Sequence, residues 1–194
     1  MLNKKATFQR AHGKIDVKIN NNEINRFYQS GSAKVFYPKS SQKFKELVLV
    51  NTAGGITSGD NFSYDFEIVN KSKIFLTTQT AERAYKGFNE KAKIKISLTV
   101  DDKSNLIWVP QELILFNNCN FDRNIEVNLS PNSNFVLAET TIFGRTAMGE
   151  YLEKGYFNDN WRINVNKNLF HAEALNLNGN IKEILSNIAS AKDG

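Results

Sequence analysis

Residues 47–60 read LVLVNTAGGITSGD, and the way the chain continues from this segment indicates which class of fold it adopts. The segment begins as an apolar, β-branched run suited to a buried strand and continues into a loop with three glycines, Gly54, Gly55 and Gly59. Beyond this loop, apolar and polar residues alternate from Phe62 to Ile68 with the two-residue period of a strand. The glycine loop is therefore predicted to connect one strand with another.

The spacing of Gly54 and Gly59 matches that of the two glycines in a nucleotide-binding P-loop. A P-loop continues with Lys and then Ser or Thr, which neutralise the phosphates and hold magnesium, whereas this chain continues with Asp60 and Asn61. A carboxylate at that position would repel a phosphate group. The loop is therefore not predicted to bind a nucleotide.

The two-residue period recurs along most of the chain. Pro110 interrupts the apolar run 105–116, because proline cannot donate a hydrogen bond to a strand ladder. Glu139 falls inside one of the predicted strands, and no repeat of fixed period is apparent. The pattern predicts a single all-β domain, residues 1–194, with extended segments at 14–20, 27–32, 33–37, 62–69, 73–80, 92–100, 124–129, 134–143 and 161–165.

The period changes clearly only near the C-terminus. Apolar residues at Ile181, Ile184, Leu185 and Ile188 follow the spacing of one helical face. Asn180 and Glu183, three residues apart, are a possible capping pair at its start. This segment predicts an amphipathic helix of about three turns.

Composition narrows the function classes. The chain has 194 residues, 41% of them hydrophobic, which suffices for one sizeable core. It contains no apolar run near the ~20 residues of a membrane span and no signal-peptide pattern, so we predict a cytoplasmic protein. The net charge of +5 comes from scattered lysines, and nucleic-acid binding is not predicted. One cysteine and two distant histidines offer neither a zinc site nor a hydrolase triad.

Three polar features remain open to more than one interpretation. Asp60, Glu139 and Glu150 lie in or beside special loops, where carboxylates either cap turns or coordinate a metal. The run from Thr77 to Thr80 is either a solvated strand edge or the lining of a water-filled passage. Arg145 pairs with Glu139 or Glu150, or reaches a partner surface, and we favour the structural pairing.

Four segments in order resemble a known family. They are NTAGGITSGD (51–60), TTQTAERAY (77–85), WVPQELILF (108–116) and ETTIFGRTAMGE (139–150). Together they resemble the urease accessory protein family UreD, called UreH in some species. The resemblance implies a β-helix-like stack of many short strands with one or two helices, and a role as a chaperone without enzymatic activity.

The resemblance also implies partners and a cargo. Members of the family bind UreF, which recruits the GTPase UreG, and the assembly docks on apo-urease so that nickel enters its active site. The family is thought to provide an internal tunnel for the ion, with no permanently bound cofactor. Residues implied to line or shape the path are Asp60, Thr78, Gln79, Glu139 and Glu150. Residues implied to form the loop motifs are Gly54, Gly55, Gly59, Gly144, Arg145 and Gly149.

Oxygen ligands suit transit, because thiolate or imidazole clusters would hold the ion too tightly to release it. No stable metal site is predicted. Typical members continue beyond the point that matches Ile188, so we expect the C-terminal part of the family to be missing here. The alternatives are a β-scaffold that binds a protein partner and an enzyme whose acid pair is Asp60 with Glu139 or Glu150.

Overall fold

The computed structural model describes residues 9–39, 43–88 and 90–187. Strands dominate these residues, with one 3₁₀ turn at Thr146–Met148 and one short helix, α1 (Ile181–Ser186). The strands are β1 (His12–Asn20), β2 (Glu23–Gly31), β3 (Ala33–Phe36), β4 (Lys45–Asn51), β5 (Asn61–Val69), β6 (Lys73–Thr78), β7 (Glu82–Ala84), β8 (Ala92–Val100), β9 (Asn105–Trp108), β10 (Leu113–Leu115), β11 (Asn120–Leu129), β12 (Asn134–Leu137), β13 (Thr141–Phe143), β14 (Lys154–Val165) and β15 (Asn168–Asn180).

The strands stack as the three sides of a β-solenoid. The long side has the strand order β15-β14-β11-β8-β5-β1-β2, the second side β12-β9-β6-β4-β3, and the short side β13-β10-β7. Successive coils visit the second side, the short side and the long side in turn, so equivalent strands of neighbouring coils pair in parallel. The predicted all-β, β-helix-like stack is confirmed.

The segment 47–60 forms most of the first coil. Its apolar run belongs to β4, and β5 begins at Asn61, so the predicted strand-to-strand connection is confirmed. Between them, Ile56 makes a parallel bridge with Ala84 of β7, which places the glycine loop on the short side of the solenoid. Gly55 has a φ of 144°, and a Cβ there would lie 2.4 Å from the ring of Tyr85, so the loop packs against the next coil through glycine.

The coils differ in length, which explains why the sequence shows no repeat of fixed period. Across the long side, Tyr64 pairs with Ile96, 32 residues later, and Ile96 pairs with Ile125, 29 residues later. The next partner, Trp161, follows after 36 residues. A recurrent sequence feature, a serine at the end of the turn, is found at one corner of the solenoid. There the turns end on Ser72, Ser104 and Ser133, whose amides donate to the carbonyl three residues before each.

The core fills the space between the three sides. Inward-facing residues of the long side stack in rows across the strands, as parallel sheets covered on one face require. Antiparallel hairpins flank this side, with β2 beside β1 at one end and β15 beside β14 at the other. In the described residues, no helix has the length and apolar character needed to cross a membrane.

Three details differ from the sequence-based predictions. Glu139 lies in the connection between β12 and β13, because the predicted strand 134–143 breaks at a corner of the solenoid. The short strand β7 lies between the predicted extended segments 73–80 and 92–100, where no strand was predicted. The helix α1 has six residues rather than about three turns, and its predicted residue Ile188 is outside the described residues.

The capping prediction for this helix is confirmed. The side-chain oxygen of Asn180 accepts a hydrogen bond from the backbone N–H of Glu183 at 3.3 Å. The side-chain nitrogen of Asn180 donates to the Glu183 carboxylate at 3.0 Å. The strand β15 was not predicted from the sequence, because its 13 residues, NLFHAEALNLNGN, lack a strict alternation.

Candidate functional site

An internal cavity of about 80 Å³ lies between the three sides of the solenoid. Strands of all three sheets line it, and so do the polar ends of the corners that follow β6 and β12. Exposed residues at these corners, including Gln79, Thr80 and Thr140, connect the cavity with the surface. Its polar lining comprises Asn51, Tyr64, Thr78, Gln79, Thr80, Glu82, Arg83, Gln111, Arg123, Glu139 and Thr140, with the indole of Trp108 beside them.

Glu82 brings a carboxyl group to this cavity from β7. In the register of the short side it stands beside Leu113, whose side chain is buried. The side-chain amide of Asn51 donates to both carboxyl oxygens of Glu82, at 3.2 and 3.1 Å. The backbone N–H of Arg83 donates to one of these oxygens at 3.2 Å. Burial raises the pKa of Glu82 to about 7, against these hydrogen bonds, with a further contribution from the charge of Asp60. Near neutral pH, this group therefore exchanges its proton readily.

A buried ionic network closes the cavity on the long side. Arg123 of β11 stands opposite Asp159 of β14 and donates to its two oxygens at 2.9 and 2.6 Å. The same guanidinium lies 2.7 Å from Glu139. The indole of Trp108 donates to Glu139 at 2.7 Å, and that of Trp161 donates to Asp159 at 3.0 Å.

This network is almost wholly shielded from solvent, since the side chains of Arg123, Glu139 and Asp159 are 8%, 5% and 9% exposed. Burial lowers the pKa of Arg123, but the two carboxylates raise it more, so the guanidinium stays charged. One cation faces two carboxylates, so the network carries a net negative charge next to the cavity. A cation inside the cavity would meet this charge and also that of Arg83, which lines the same cavity.

The polar run that ends β6 is satisfied locally. The Thr77 hydroxyl donates to the Val109 carbonyl at 2.7 Å. The Thr78 hydroxyl donates to the Thr80 carbonyl at 3.1 Å and accepts a hydrogen bond from the backbone N–H of Gln111 at 2.9 Å. Thr78 and Gln79 also line the cavity, so the run both joins neighbouring coils and contributes oxygen atoms to the interior.

Asp60 closes the glycine loop. Its carboxylate is buried and accepts hydrogen bonds from the backbone amides of Ala11 and Thr57, both at 2.8 Å. Asp60 lines a second, open depression that Gly55 and Tyr85 share. The carboxylate therefore holds the loop against the first strand of the domain, within electrostatic range of Glu82.

Glu150 lies apart from this interior. Its carboxylate accepts hydrogen bonds from the guanidinium of Arg145 and, at 3.0 Å, from the backbone N–H of Asn117. Arg145 lowers the pKa of Glu150, with a smaller contribution from the amide. Of the open alternatives for Arg145, the structure has the pairing with Glu150. Gly144 and Gly149 adopt φ values of 81° and 72° on either side of this pair, so both glycines permit the tight turn.

The three loop carboxylates do not form the converging acid pair that the enzyme hypothesis requires. Asp60 is held by backbone amides, Glu139 by Arg123 and Trp108, and Glu150 by Arg145. Within the described part of the chain, no group of three or more His, Cys, Asp or Glu side chains is arranged to hold a metal ion.

A family model described as UreD urease accessory protein matches residues 9–193. The chain belongs to the UreD family. Three curated proteins named Urease accessory protein UreD show the degree of similarity. The one from Rhodopseudomonas palustris strain BisB5 is 41% identical over 169 residues, which are 87% of this chain and 60% of that protein. For Mesorhizobium japonicum the identity is 36%, with 87% and 60% covered, and for Chelativorans sp. it is 37%, with 90% and 64% covered.

This UreD chain thus spans about 60% of the length of the curated relatives it matches. The structure brings three of the five residues predicted to line a path, Thr78, Gln79 and Glu139, to one cavity. It places Asp60 in the neighbouring depression and Glu150 on a separate turn. The polar lining and the network around this UreD cavity are completed by Glu82, Arg123 and Asp159, which were not predicted as site residues from the sequence.

A sequence signal for the network did exist. In the alternating pattern of residues 120–129, Arg123 takes an inward position between Phe121 and Ile125. Asp159 does the same two residues after Phe157 in β14. A charged residue at an inward position of an apolar strand face requires a buried partner, and this requirement points to a second inward charge of opposite sign.

Proposed function

We propose that this UreD chain assists the incorporation of nickel into apo-urease, in a cytoplasmic complex with UreF, through which UreG is recruited, and in direct contact with urease. Membership of the urease accessory protein family supports the accessory role. The observation that carries the nickel role is the internal cavity, which is lined by oxygen-bearing side chains and flanked by a network of net negative charge.

The chemistry of this lining favours passage over storage. Hydroxyl, amide and carboxyl oxygens bind Ni²⁺ more weakly than thiolates or imidazoles do. The cysteine of the chain, Cys119, is buried, and burial raises the pKa of its thiol to about 11, so it is no thiolate ligand at neutral pH. Glu82 has a pKa of about 7, so a passing cation competes with a single proton for it.

The proposed route runs from the depression at Asp60, past Glu82, to the part of the cavity that Thr78, Gln79 and Glu139 line. In this proposal, Asp60 acts through the position of the glycine loop, because its oxygens already accept two backbone hydrogen bonds. Glu82 is the group whose charge changes most readily along the route.

Expression of a urease gene cluster with and without this gene tests the accessory role. We expect urease made without it to be soluble, poor in nickel and inactive, and nickel-replete urease would contradict the proposal. Glu82→Gln then tests the route, because it keeps the size of the side chain and removes its charge. The matched control is Glu126→Gln, on the exposed outer face of β11.

Two measurements separate transport from assembly: the nickel content of purified urease, and co-purification of UreF and urease with this chain. We expect Glu82→Gln to lower the nickel content at least several-fold while the complex still forms, and Glu126→Gln to change neither. If Glu82→Gln abolished co-purification instead, the residue would have a structural role. If nickel loading stayed normal, the route through the cavity would be refuted.

A further inference from the structure

The outer edge of β15 is an unpaired strand edge in the part of the chain that the structure describes. β15 pairs with β14 on one side and is the last strand of the seven-stranded side. Proteins usually protect such edges with lysines, prolines or very short strands. This strand has 13 residues, contains neither Lys nor Pro, and exposes 60% of Leu169 and 78% of Phe170.

A bulge sets one boundary of the usable edge. The register against β14 shifts between Ile163 and Asn164, so the strand is regular from His171 onward and Phe170 is the extra residue. Directly after the bulge, His171 and Glu173 lie on one face of the strand, with Ala172 between them on the other face. All three residues are exposed.

This segment is complementary to itself when it is turned around. In an antiparallel pair of two copies centred on Ala172, His171 of each copy stands opposite Glu173 of the other, so the contact of an imidazole with a carboxyl group occurs twice. Within each chain, the same two side chains lie 3.7 Å apart. Directly opposite pairs in an antiparallel ladder are the pairs that interact most strongly.

Neighbouring registers lack this complementarity. Centring on Glu173 sets two carboxylates against each other, and centring on His171 does the same for two imidazoles. Centring on Ala174 places Glu173 opposite Leu175. Registers centred between two residues would pair opposite faces of the sheet and are excluded by the pleat.

We propose that the edge of β15 pairs with the same edge of a second copy of this chain, antiparallel and two-fold symmetric about Ala172. The pairing joins two seven-stranded sides into one continuous sheet. It uses few residues, His171 to Glu173 of each copy, so the dimer is weak and depends on protein concentration. A two-fold interface of this kind is closed and does not propagate into fibres.

Charge-swap variants test the register. In H171E, each contact sets two carboxylates opposite each other, and in E173H each contact sets two imidazoles opposite each other. The double variant H171E/E173H restores the contacts between imidazole and carboxyl group with their positions exchanged. An equimolar mixture of the two single variants also restores them, because every contact across a mixed pair joins a carboxylate to an imidazole.

The measurement is sedimentation equilibrium of the untagged chain from micromolar to millimolar concentration at pH 6, with circular dichroism to verify folding. We expect the wild-type chain of 22.0 kDa to approach twice that mass, and each single variant to dimerise at least about tenfold more weakly. The double variant and the mixture recover dimerisation. A wild-type chain that stays monomeric overturns the proposal, and so do variants that all dimerise equally or a mixture that fails to recover.

Discussion

Replacing Arg123 by Met tests whether the buried network holds the solenoid together. Arg123 is the cation between Glu139 and Asp159, at 2.7 and 2.6 Å, in a site less than one tenth exposed. Removing one partner of a buried ion pair leaves an uncompensated charge and typically costs ~3–5 kcal/mol. Here two carboxylates lose their counter-charge together, so we expect the upper part of this range. A domain of this size is stable by only ~5–15 kcal/mol, so the loss is large.

Arg26→Met is the matched control. Arg26 also bridges two carboxylates, Asp16 and Glu67, at 2.7 and 2.9 Å, but its side chain is 44% exposed. Solvent and salt screen such pairs, which contribute ~0–1 kcal/mol. The two variants therefore remove the same side chain and the same number of ionic contacts, and they differ in burial.

The assay is unfolding in urea at pH 7, followed by tryptophan fluorescence. Trp108 and Trp161 both donate hydrogen bonds to the network, so their emission reports its loss directly. We expect a decrease in the free energy of unfolding of about 4 kcal/mol or more for Arg123→Met and below about 1 kcal/mol for Arg26→Met. If both variants lost the same free energy of unfolding, burial would not be the reason for the large contribution of the network to stability.

Three further predictions concern other parts of the domain. Because burial raises the pKa of Glu82 from 4.5 to about 7, the folded state binds the extra proton between these values. Stability should therefore fall by up to about 3 kcal/mol as the pH rises from 4.5 to 7, and Glu82→Gln should abolish this dependence in urea unfolding measured across that range. Gly55→Ala should lower the melting temperature far more than Gly54→Ala, since both have positive φ but only at Gly55 would a Cβ meet Tyr85 at 2.4 Å; similar losses would contradict this. Cys119, buried and with its pKa raised to about 11, should react with a thiol reagent only as fast as the protein unfolds, and rapid labelling of the folded protein would disprove that.

The prediction of the all-β class rested on local periodicity, which follows from the two-residue repeat of a strand and the burial of one of its faces. The alternation in residues 92–100 and 62–69 was sufficient to predict strands, because one face of each strand is buried and the other faces solvent. The capping pair Asn180 and Glu183 was equally local, since its contacts span three residues. β15 escaped prediction because most of its side chains are exposed on both faces, and no alternation is imposed on such a strand.

For the candidate site, sequence alone determined which residue types were available: threonines and a glutamine after β6, and carboxylates in the glycine-bracketed loops. Only the tertiary structure decided which of them meet. Coils of 32, 29 and 36 residues bring Glu82, Arg123 and Glu139 to one cavity, and those unequal lengths are not readable from the pattern. Whether a carboxylate pairs with an arginine, accepts backbone amides or keeps a labile proton depends on neighbours distant in sequence, because burial and charge are properties of the packed coils.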